Sequence, residues 1–568
     1  MKPYLLLALL ACTHLCTAQN RYDIVISEIM ADPAPPVGLP NNEWIELTNT
    51  ATLPIDLQGW RIGDAAGQSG PMPAFILPPG GYVIVCANSA ATALSAFGPA
   101  ISVTSFPSLD NEADQLYVKA AGGMTVHAVN YTSGWYRNEL KQQGGWTLEM
   151  IDTHNPCGGS NNWRAGNNPA GGTPGSVNSV NGVNTDQAAP QLNRAYTIDP
   201  ETIVLVFDEP VDSASGATVS GYDIDGGITL VAATTRPPLF NEVQLKTGSP
   251  LAEAIVYTIT ASGIKDCKGN SIGVRNQVKT GLPKDPAAGD LVINEILFNP
   301  RPNGFDYVEI YNNSSHIADA SHLYIANRNS SGTISSMSLL SASPFYMFPG
   351  DHIVVTEDAD NLAINYLVEQ PAAVLTLSPL PSFPDDKGTV LLLNAQGAPV
   401  DEVAYLDDWH FALLTDAEGV SLERIDPDAA SQDAGNWHSA ASTAGYGTPT
   451  YKNSQYRNPG EVAASIGISP GVFSPDGDGF DDIATIRYRM DEPGYVANIT
   501  LFDATGRPVK SLVRNGTLSS TGYWNWDGLD NRGRKLPVGT YIILTEVFNL
   551  QGKKKTFRNT IVLARKLN

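Results

Sequence analysis

The stretch NEWIELTN at residues 42–49 returns, diverged but alignable, as FDYVEIYNN at residues 305–313. Apolar residues alternate with others in both stretches, which is typical of a β-strand because successive side chains point to opposite faces. In the first stretch this places Ile45 and Leu47 on one face and Trp44 and Glu46 on the other. The pattern predicts an ordinary strand buried on one face only.

Other landmarks keep their order on both sides of this strand. They are EIM at 28–30 with EIL at 295–297, PG at 79–80 with 349–350, LE at 148–149 with 422–423, NW at 162–163 with 436–437, and GTP at 172–174 with 447–449. Self-similarity at a fixed period identifies repeat architectures, and this period is as long as a whole domain. The chain therefore contains one module of roughly 150 residues twice.

Composition favours an all-β fold. The 568 residues are enough for about four domains, and 52 Gly and 40 Pro separate short runs of Val, Ile, Leu and Tyr. No long amphipathic helix is evident. The predicted boundaries are residues 21–178 and 288–455 for the two copies, 189–282 for a module between them, and 461–568 for a C-terminal module.

The N-terminus has the pattern of a secretory signal over residues 1–18, with Lys2, an apolar run and a small-residue ending at Ala18. Leu9-Leu10-Ala11-Cys12 allows a second interpretation, a lipoprotein acylated at Cys12. No later apolar stretch reaches the length of a transmembrane helix. The expected location is outside the cell, either secreted or at the outer cell surface.

The charge of the chain opposes one class of partner. Loss of Lys2 with the signal leaves 34 basic against 58 acidic side chains, a net charge of about −24. Nucleic-acid binding depends on neutralising phosphates with basic groups, so a nucleic-acid partner is not expected. An extracellular protein or glycan partner fits the composition better, although nothing in the sequence identifies it.

Three cysteines remain after removal of the signal. Cys86 and Cys157 lie in the first copy, and the second copy lacks cysteine at both aligned positions, near Thr356 and Ser431. Exported chains can hold disulfides. The joint absence favours a Cys86–Cys157 pair with Cys267 unpaired, against the alternative of two separate buried thiols.

Three family resemblances accompany these patterns. The duplicated module resembles the lamin tail domain, through the EIM and EIL strands, NEWIELTN and FDYVEIYNN, ILPPGGYVIV and FPGDHIVV, and LEMID and LERID. The middle module resembles bacterial Ig-like domains of surface-layer proteins, through IVLVFDEPVD at 203–212 and the turn DCKGN at 266–270. Both resemblances imply tandem Ig-like β-sandwiches.

The C-terminal module resembles Ig-like domains related to the flagellar hook-capping protein and to gliding-motility-associated type IX secretion sorting domains. FSPDGDGFDD at 473–482, ITLFDATGR at 499–507, WDG at 526–528 and LPVGTY at 536–541 carry the resemblance. The sorting domains typically have Asn where this chain has Asp476. The resemblance implies contact with outer-membrane secretion machinery, with this module as the address.

One acidic loop suggests a metal. Calcium takes six to eight oxygen ligands, which closely spaced carboxylates on a glycine-containing loop can supply. The candidate ligands are Asp476, Asp478, Asp481 and Asp482. The alternative is a solvated acidic turn, since the distal Glu of an EF-hand is missing.

No catalytic motif is recognisable, so the chain is not expected to be an enzyme. The carboxylate pairs Glu43 with Glu46 and Asp306 with Glu309 could do acid/base work only in a cleft that separates their pKa values, so strand-surface ion pairing is the favoured interpretation. Five tryptophans could form a carbohydrate platform, but a core role is favoured because two recur at matched positions. They are Trp135, Trp146, Trp163, Trp409 and Trp437.

Three functions follow as hypotheses. The first is a non-catalytic structural or adhesion protein of the cell surface that presents lamin-tail-type modules. The second is an accessory subunit of an extracellular hydrolase system that binds polysaccharide or nucleic acid. The third is an enzyme with an unrecognised site.

Overall fold

The computed structural model describes residues 20–414, 416–457 and 463–565. The predicted signal segment and Cys12 lie outside the described residues. The chain divides into two compact units, one of Met1–Leu251 with Tyr257–Thr280 and one of Ala252–Val256 with Gly281–Asn568. Strands dominate both units, which confirms the all-β prediction. No helix among the described residues has the length and hydropathy of a membrane span.

The first copy of the duplicated module forms a β-sandwich. Its six-stranded sheet has the order β11-β10-β1-β2-β6-β7, and β4-β8-β9 form the opposing sheet. The elements are β1 Ile24–Met30, β2 Trp44–Asn49, β3 Ile55–Asp56, β4 Arg61–Gly63, β5 Ile76–Leu77, β6 Tyr82–Ala87, α1 Ala91–Leu94, β7 Ala100–Val103, β8 Ala113–Lys119, β9 Thr125–Thr132, β10 Leu148–Met150 and β11 Trp163–Ala165.

The middle module completes the first unit as a smaller sandwich. Its sheets have the orders β12-β13-β16-β15 and β14-β17-β18. The elements are β12 Leu192–Asp199, β13 Thr202–Phe207, α2 Ser213–Gly216, β14 Tyr222–Ile224, β15 Leu230–Arg236, β16 Glu242–Thr247, β17 Tyr257–Ala261 and β18 Gln277–Thr280.

The second copy repeats the topology of the first. Its six-stranded sheet, β30-β29-β19-β20-β25-β26, matches the first copy strand for strand, and the opposing sheet, β23-β22-β27-β28, has one more strand. The elements are β19 Leu291–Leu297, β20 Tyr307–Asn312, β21 Ala318–Asp319, β22 Leu323–Arg328, β23 Ile334–Leu339, β24 Tyr346–Met347, β25 His352–Thr356, α3 Ala359–Asn365, β26 Val374–Thr376, β27 Lys387–Asn394, β28 Pro399–Leu406, β29 Leu422–Arg424 and β30 Trp437–Ser439.

The C-terminal module is also a sandwich. A three-stranded sheet, β31-β33-β36, faces a five-stranded sheet, β32-β38-β37-β34-β35. The strands are β31 Ser465–Ser469, β32 Val472–Phe473, β33 Ala484–Arg489, β34 Val496–Asp503, β35 Pro508–Thr517, β36 Thr521–Trp526, β37 Gly539–Phe548 and β38 Lys554–Leu563.

The prediction that β2 is buried on one face only is wrong. Ile45 and Leu47 do face the main core, but Trp44 belongs to a second apolar cluster on the opposite face, and all six residues of β2 are buried. The same holds for β1, which is buried at all seven positions. The second face is covered by α1 and by chain that follows β11, which strand periodicity alone does not reveal.

The predicted Cys86–Cys157 pair is also wrong. Cys157 is bonded to Cys267 of the middle module, with 6.2 Å between their Cα atoms, and Cys86 is a buried free thiol. The loop that carries Cys157 packs on the DCKGN turn, where the Lys268 ammonium donates to the carbonyl of His154 at 2.8 Å. Cys86 lies instead on β6 among the apolar side chains of Trp44 and Ile84.

Candidate functional site

A row of three buried glutamates crosses the six-stranded sheet of the first copy. Glu28 on β1 pairs in register with Glu149 on β10 and with Glu46 on β2. All three side chains have no exposed surface. Their partners are hydroxyl and backbone N–H groups, so the three glutamates form a buried polar layer on one face of the sheet.

The segment 171–180, which we call the strap, supplies most of these partners in the first copy. The backbone N–H of Thr173 donates to Glu28 Oε1 at 2.7 Å, and that of Gly175 donates to Glu46 Oε2 at 2.5 Å. Glu149 Oε2 accepts from the Ser179 hydroxyl at 2.8 Å and from the Val180 N–H at 3.1 Å.

The second copy reproduces this row. Glu295 on β19 pairs in register with Glu423 on β29 and with Glu309 on β20, and all three are fully buried. Its strap is residues 446–455. The N–H groups of Thr448 and Thr450 donate to Glu295 at 2.9 Å and to Glu309 at 2.6 Å, the same roles that Thr173 and Gly175 have in the first copy.

A threonine hydroxyl bridges two carboxyls in each row. The Thr173 hydroxyl lies 3.3 Å from Glu28 Oε2 and 3.2 Å from Glu149 Oε1, yet a hydroxyl carries a single hydrogen. The hydroxyl can donate fully to only one of the two carboxyls, so the bridge is complete when the other carboxyl is protonated and donates to the hydroxyl oxygen. The Thr448 hydroxyl stands in the same position, 3.1 Å from Glu295 Oε2 and 2.8 Å from Glu423 Oε1.

Electrostatics support the protonated state. Burial, with the charge of Glu149 added, raises the pKa of Glu28 to about 8. Burial together with Glu295 raises the pKa of Glu423 to about 8, and burial raises the pKa of Glu46 well above its ordinary value. None of the six glutamates forms an ion pair within the described residues, so burying several acids side by side favours the retention of protons.

The Gly-Thr-Pro landmark now has a physical explanation. A Cβ on Gly172 would lie 2.7 Å from Glu28 Oε1, and one on Gly447 would lie 2.6 Å from the Tyr307 hydroxyl. Only glycine lets the strap approach the row, while the following threonine bridges two carboxyls. The sequence signal was available, since Glu28, Glu46 and Glu149 all recur as glutamate in the second copy, inside apolar strands.

The interpretation of the carboxylate pairs as surface ion pairs is wrong. Glu46 and Glu309 are buried members of the rows. Glu43 is half-buried and accepts from the backbone N–H of Leu109 at 3.1 Å. Burial raises the pKa of the half-buried Asp306 to about 7. The strap covers the face of the strand that carries Glu46 and Glu309, so these side chains cannot reach a cation at the surface.

Three of the four predicted calcium ligands come together. Carboxylate oxygens of Asp476, Asp478 and Asp482 lie within 4.8 Å of one another, and Asp481 is not part of this group. Asp482 already accepts backbone N–H bonds from Asp476 at 3.0 Å, Gly477 at 2.7 Å and Gly479 at 2.8 Å. The loop is therefore organised around Asp482, with Asp476 and Asp478 exposed beside it.

A second acidic cluster was not predicted. Asp186, Glu209 and Asp266 also have carboxylate oxygens within 4.8 Å of one another. Burial, with Asp186 and Asp266 nearby, raises the pKa of Glu209 to about 8. Asp266 organises the DCKGN turn by accepting from the N–H groups of Lys268 and Asn270, each at 2.8 Å. Sequence distance hid this group, because its members come from three separate segments.

The five tryptophans pack on the cores of their modules. Trp163 and Trp437 are buried, and the indole N–H of Trp437 donates to the carbonyl of Ser431 at 2.9 Å. The three others are half-buried against the same cores: Trp135, Trp146 and Trp409. The favoured core role agrees with this arrangement.

Trp409 also lines a cleft in the second unit. The cleft has a volume of about 770 Å³ and lies between the second copy and the C-terminal module, with Phe411, Trp437 and Glu492 among its walls. Burial lowers the pKa of His410, another wall residue, to about 4, so its imidazole is neutral. Two carboxylates line the cleft: Glu492, which pairs with Lys553 at 2.5 Å, and Asp408, which precedes Trp409 in the chain.

These features define a class of protein, a chain of β-sandwiches whose most organised polar groups are internal. Two regions, residues 17–133 and 284–407, match the Lamin Tail Domain family. They fall on the two copies of the duplicated module and confirm the resemblance for that part of the chain. No curated protein matches the chain in sequence.

Several solved structures align with low similarity. The N-terminal part of the bacterial S-layer protein SbsC is 14% identical over 29% of this chain, which spans 40% of that protein, with a TM-score of 0.16. A DUF4876 family protein from Bacteroides thetaiotaomicron is 12% identical over 37% of this chain and 85% of its own, at 0.18. A calcium-stabilised adhesin from an Antarctic bacterium is 10% identical over 97% and 100%, at 0.12. TM-scores this low support no functional transfer.

Proposed function

We propose that this protein is a non-catalytic structural or adhesion protein of the cell surface. It presents two lamin-tail-type modules, and its C-terminal module directs secretion or surface sorting. The observation that carries the proposal is the burial of the side chains that recur in both copies. The recurring glutamates, the strap threonines and the NW landmarks are buried in both copies.

The side chains that recur in the two copies are mostly buried, which favours a structural role for the module. A duplicated binding or catalytic module would keep matched exposed groups, because recognition and catalysis need contact with a partner. The buried rows instead have their oxygens engaged by the strap, as with Thr448 on Glu295 and Glu423. The copies keep their architecture, and β23 with its exposed residues is present only in the second copy.

The disulfide supports an oxidising location. Disulfides persist in exported proteins and are rare where cytosolic thiol systems keep cysteines reduced. Cys157–Cys267 joins the first copy to the middle module. Arg21 adds contacts between the same modules, donating to the Val211 carbonyl at 2.9 Å and to the Ser213 hydroxyl at 2.8 Å.

The location test compares the full chain with a chain that ends at Gly460, each carrying the same N-terminal epitope after the signal. Only the full chain is expected to become accessible to external protease on intact cells. Equal exposure of both chains, or retention of both in the periplasm, would remove the sorting role. Gln455 donates to the Leu518 carbonyl at 3.1 Å, so trypsin resistance must show that the shortened chain is folded.

The non-catalytic part is tested separately. Purified full chain is expected to show no turnover on a panel of glycoside, ester, peptide and phosphodiester substrates. Turnover that a Glu28→Gln variant retained but an Asp408→Asn variant lost would place an active site in the cleft beside Trp409, and the structural role would fall.

Calcium binding at the acidic loop forms part of this proposal. Asp476 and Asp478 offer exposed oxygens beside Asp482, whose own oxygens hold the loop closed. We expect calcium to raise the melting temperature of the full chain and chelator to reverse the change. Asp476→Asn with Asp478→Asn should abolish the response, whereas the matched pair Asp503→Asn with Asp530→Asn should keep it. An unchanged melting curve in calcium would leave the solvated turn as the explanation.

A further inference from the structure

The C-terminal module differs in charge from the rest of the chain. Residues 463–565 contain 13 basic and 10 acidic side chains, whereas the whole chain carries a net charge of −23. Many of these basic groups are already paired, for example Arg507 with Asp503 and Arg534 with Asp530. The basic side chains without an acidic partner are the ones that can bind an external anion.

Two arginines stand together on the outer face of the three-stranded sheet. Arg487 and Arg489 are exposed, while the alternate residues Ile486 and Tyr488 on the same strand are buried. Two residues along a strand span about 6.6 Å, so both guanidinium groups can reach one extended ligand. Within the described residues neither guanidinium group has a hydrogen-bond or ion-pair partner.

The neighbours of these arginines complete a flat polar surface. Gly467 on β31 and Tyr523 on β36 lie in register on either side of Arg487. Tyr523 is 63% exposed, and open space surrounds Gly467. The hydroxyl residues Ser465 and Thr521 flank Arg489 in the same way, and both are exposed.

We propose that this face, defined by Arg487, Arg489, Tyr523 and Gly467, binds an acidic polysaccharide. Guanidinium groups bind carboxylates through two parallel hydrogen bonds, a geometry that fits uronate groups along a polymer. The exposed Tyr523 ring offers a flat surface for a sugar ring, and Gly467 leaves the backbone bare for close approach. Flanking hydroxyls can bond to sugar hydroxyls.

Other occupants fit the face less well. Single-stranded nucleic acid binds where several aromatic rings stack successive bases, and this face exposes only Tyr523 among its described residues. Protein interfaces centre on a buried apolar patch, which the alternation of Ser465, Gly467, Arg487 and Arg489 does not provide. The inference goes beyond the proposed function and does not depend on sorting.

The test measures binding of purified full chain to polygalacturonate, with dextran as the neutral polymer. Arg487→Ala with Arg489→Ala should weaken binding at least about tenfold, since each lost charge-assisted contact is substantial. The control, Arg514→Ala with Arg558→Ala, removes the same charge from two exposed positions on the other sheet and should stay near the native affinity.

Two further variants separate geometry from charge. Arg487→Lys with Arg489→Lys keeps the charge and loses the planar fork, so intermediate binding is expected. Gly467→Glu places a carboxylate beside Arg487 in open space and should reduce binding about tenfold without changing the melting temperature.

Three results would overturn the inference. The first is that polygalacturonate does not bind at low salt. The second is that the Arg514→Ala with Arg558→Ala control weakens binding as much as the face variant, which would show that binding depends only on net charge. Tighter binding of oligothymidylate than of polygalacturonate would assign the face to nucleic acid. Preserved folding of each variant is checked by circular dichroism.

Discussion

At the scale of single residues, the two copies use different side chains to accept a hydrogen bond from the same backbone N–H group of the first strand. The backbone N–H of Ile26 donates to His127 Nδ1 at 3.0 Å, and the aligned N–H of Ile293 donates to Asp401 Oδ2 at 2.8 Å. Burial lowers the pKa of His127 to about 4, so the neutral imidazole accepts this bond. Asp401 Oδ2 also forms an ion pair with the buried Arg424, 3.0 Å away.

This exchange predicts a coupled pair in the second copy. Arg424→Met alone should cost about 3 to 5 kcal/mol of stability, because it removes the cation that is paired with the largely buried Asp401 and leaves only neutral donors to it. Adding Asp401→His recreates the pair of the first copy, Met150 with His127, and should recover at least about 1 kcal/mol. Denaturant unfolding of the full chain gives the comparison.

The exposed pair Arg507 with Asp503 provides the control for this cycle. Arg507→Met should cost less than about 1 kcal/mol, since exposed ion pairs contribute little. If Arg424→Met and Arg507→Met had equal effects, or if Asp401→His deepened the loss, the coupling would not exist.

The glutamate rows predict a pH dependence of opposite sign to that of an ordinary salt bridge. The folded pKa of Glu28, about 8, lies above the unfolded value, so the folded state holds the proton between the two. The stability is fully present below about pH 4.3 and falls as pH rises towards 8, by up to about 1.4 kcal/mol per pH unit for one proton. Glu28→Gln should make this slope shallower.

Amide hydrogen exchange of the β1, β2 and β10 peptides measures this local stability. Glu139 is an exposed carboxylate of the same module, and Glu139→Gln serves as the control. Comparing the two variants at pH 5.5 and at pH 8 removes the pH dependence of the intrinsic exchange rate. An identical pH response in Glu28→Gln and Glu139→Gln would contradict a protonated row.

At the scale of elements, strand periodicity predicted much and missed one face. The apolar runs at residues 202–207 and 255–259 predict two strands of the middle module, and the structure has β13 at the first run and begins β17 two residues later than the second. The alternation in residues 44–47 gave the correct faces. It could not give their burial, because the strap that covers Glu46 lies more than 120 residues further along the chain.

The same limit explains the acidic sites. The Asp476 loop was visible because its ligands are consecutive, although the sequence could not show that Asp481 turns away from the group. The Asp186 cluster was invisible because its three members come from segments that are far apart in the sequence. Local spacing predicts local sites, and long-range pairing requires the fold.

At the scale of the whole molecule, the disulfide decides how two modules of the first unit are joined. The pairing hypothesis left Cys267 unpaired, whereas the turn that carries Cys267 faces the Cys157 loop. In the second copy, Ser431 takes the place of Cys157 and bonds to Arg424 at 2.8 Å. The missing cysteine is thus replaced by an internal contact.

Non-reducing peptide mapping tests this connection. We expect a Cys157–Cys267 peptide and a Cys86 thiol that reacts with maleimide only after denaturation, since burial shields it and raises its pKa to about 11. Cys157→Ala should lower stability by about 2 to 4 kcal/mol, with Cys86→Ala as the buried control of smaller effect. A Cys86–Cys157 peptide would contradict the structure.

The position of the straps has a consequence for biosynthesis. Each row of glutamates is made first and its strap last, because residues 171–180 and 446–455 end their modules. Until the strap emerges, the three acids stay in water and stay ionised. Closing each module therefore takes up protons from the medium. Each module stays open, and can pass through a pore as an extended chain, until its last ten residues have been synthesised.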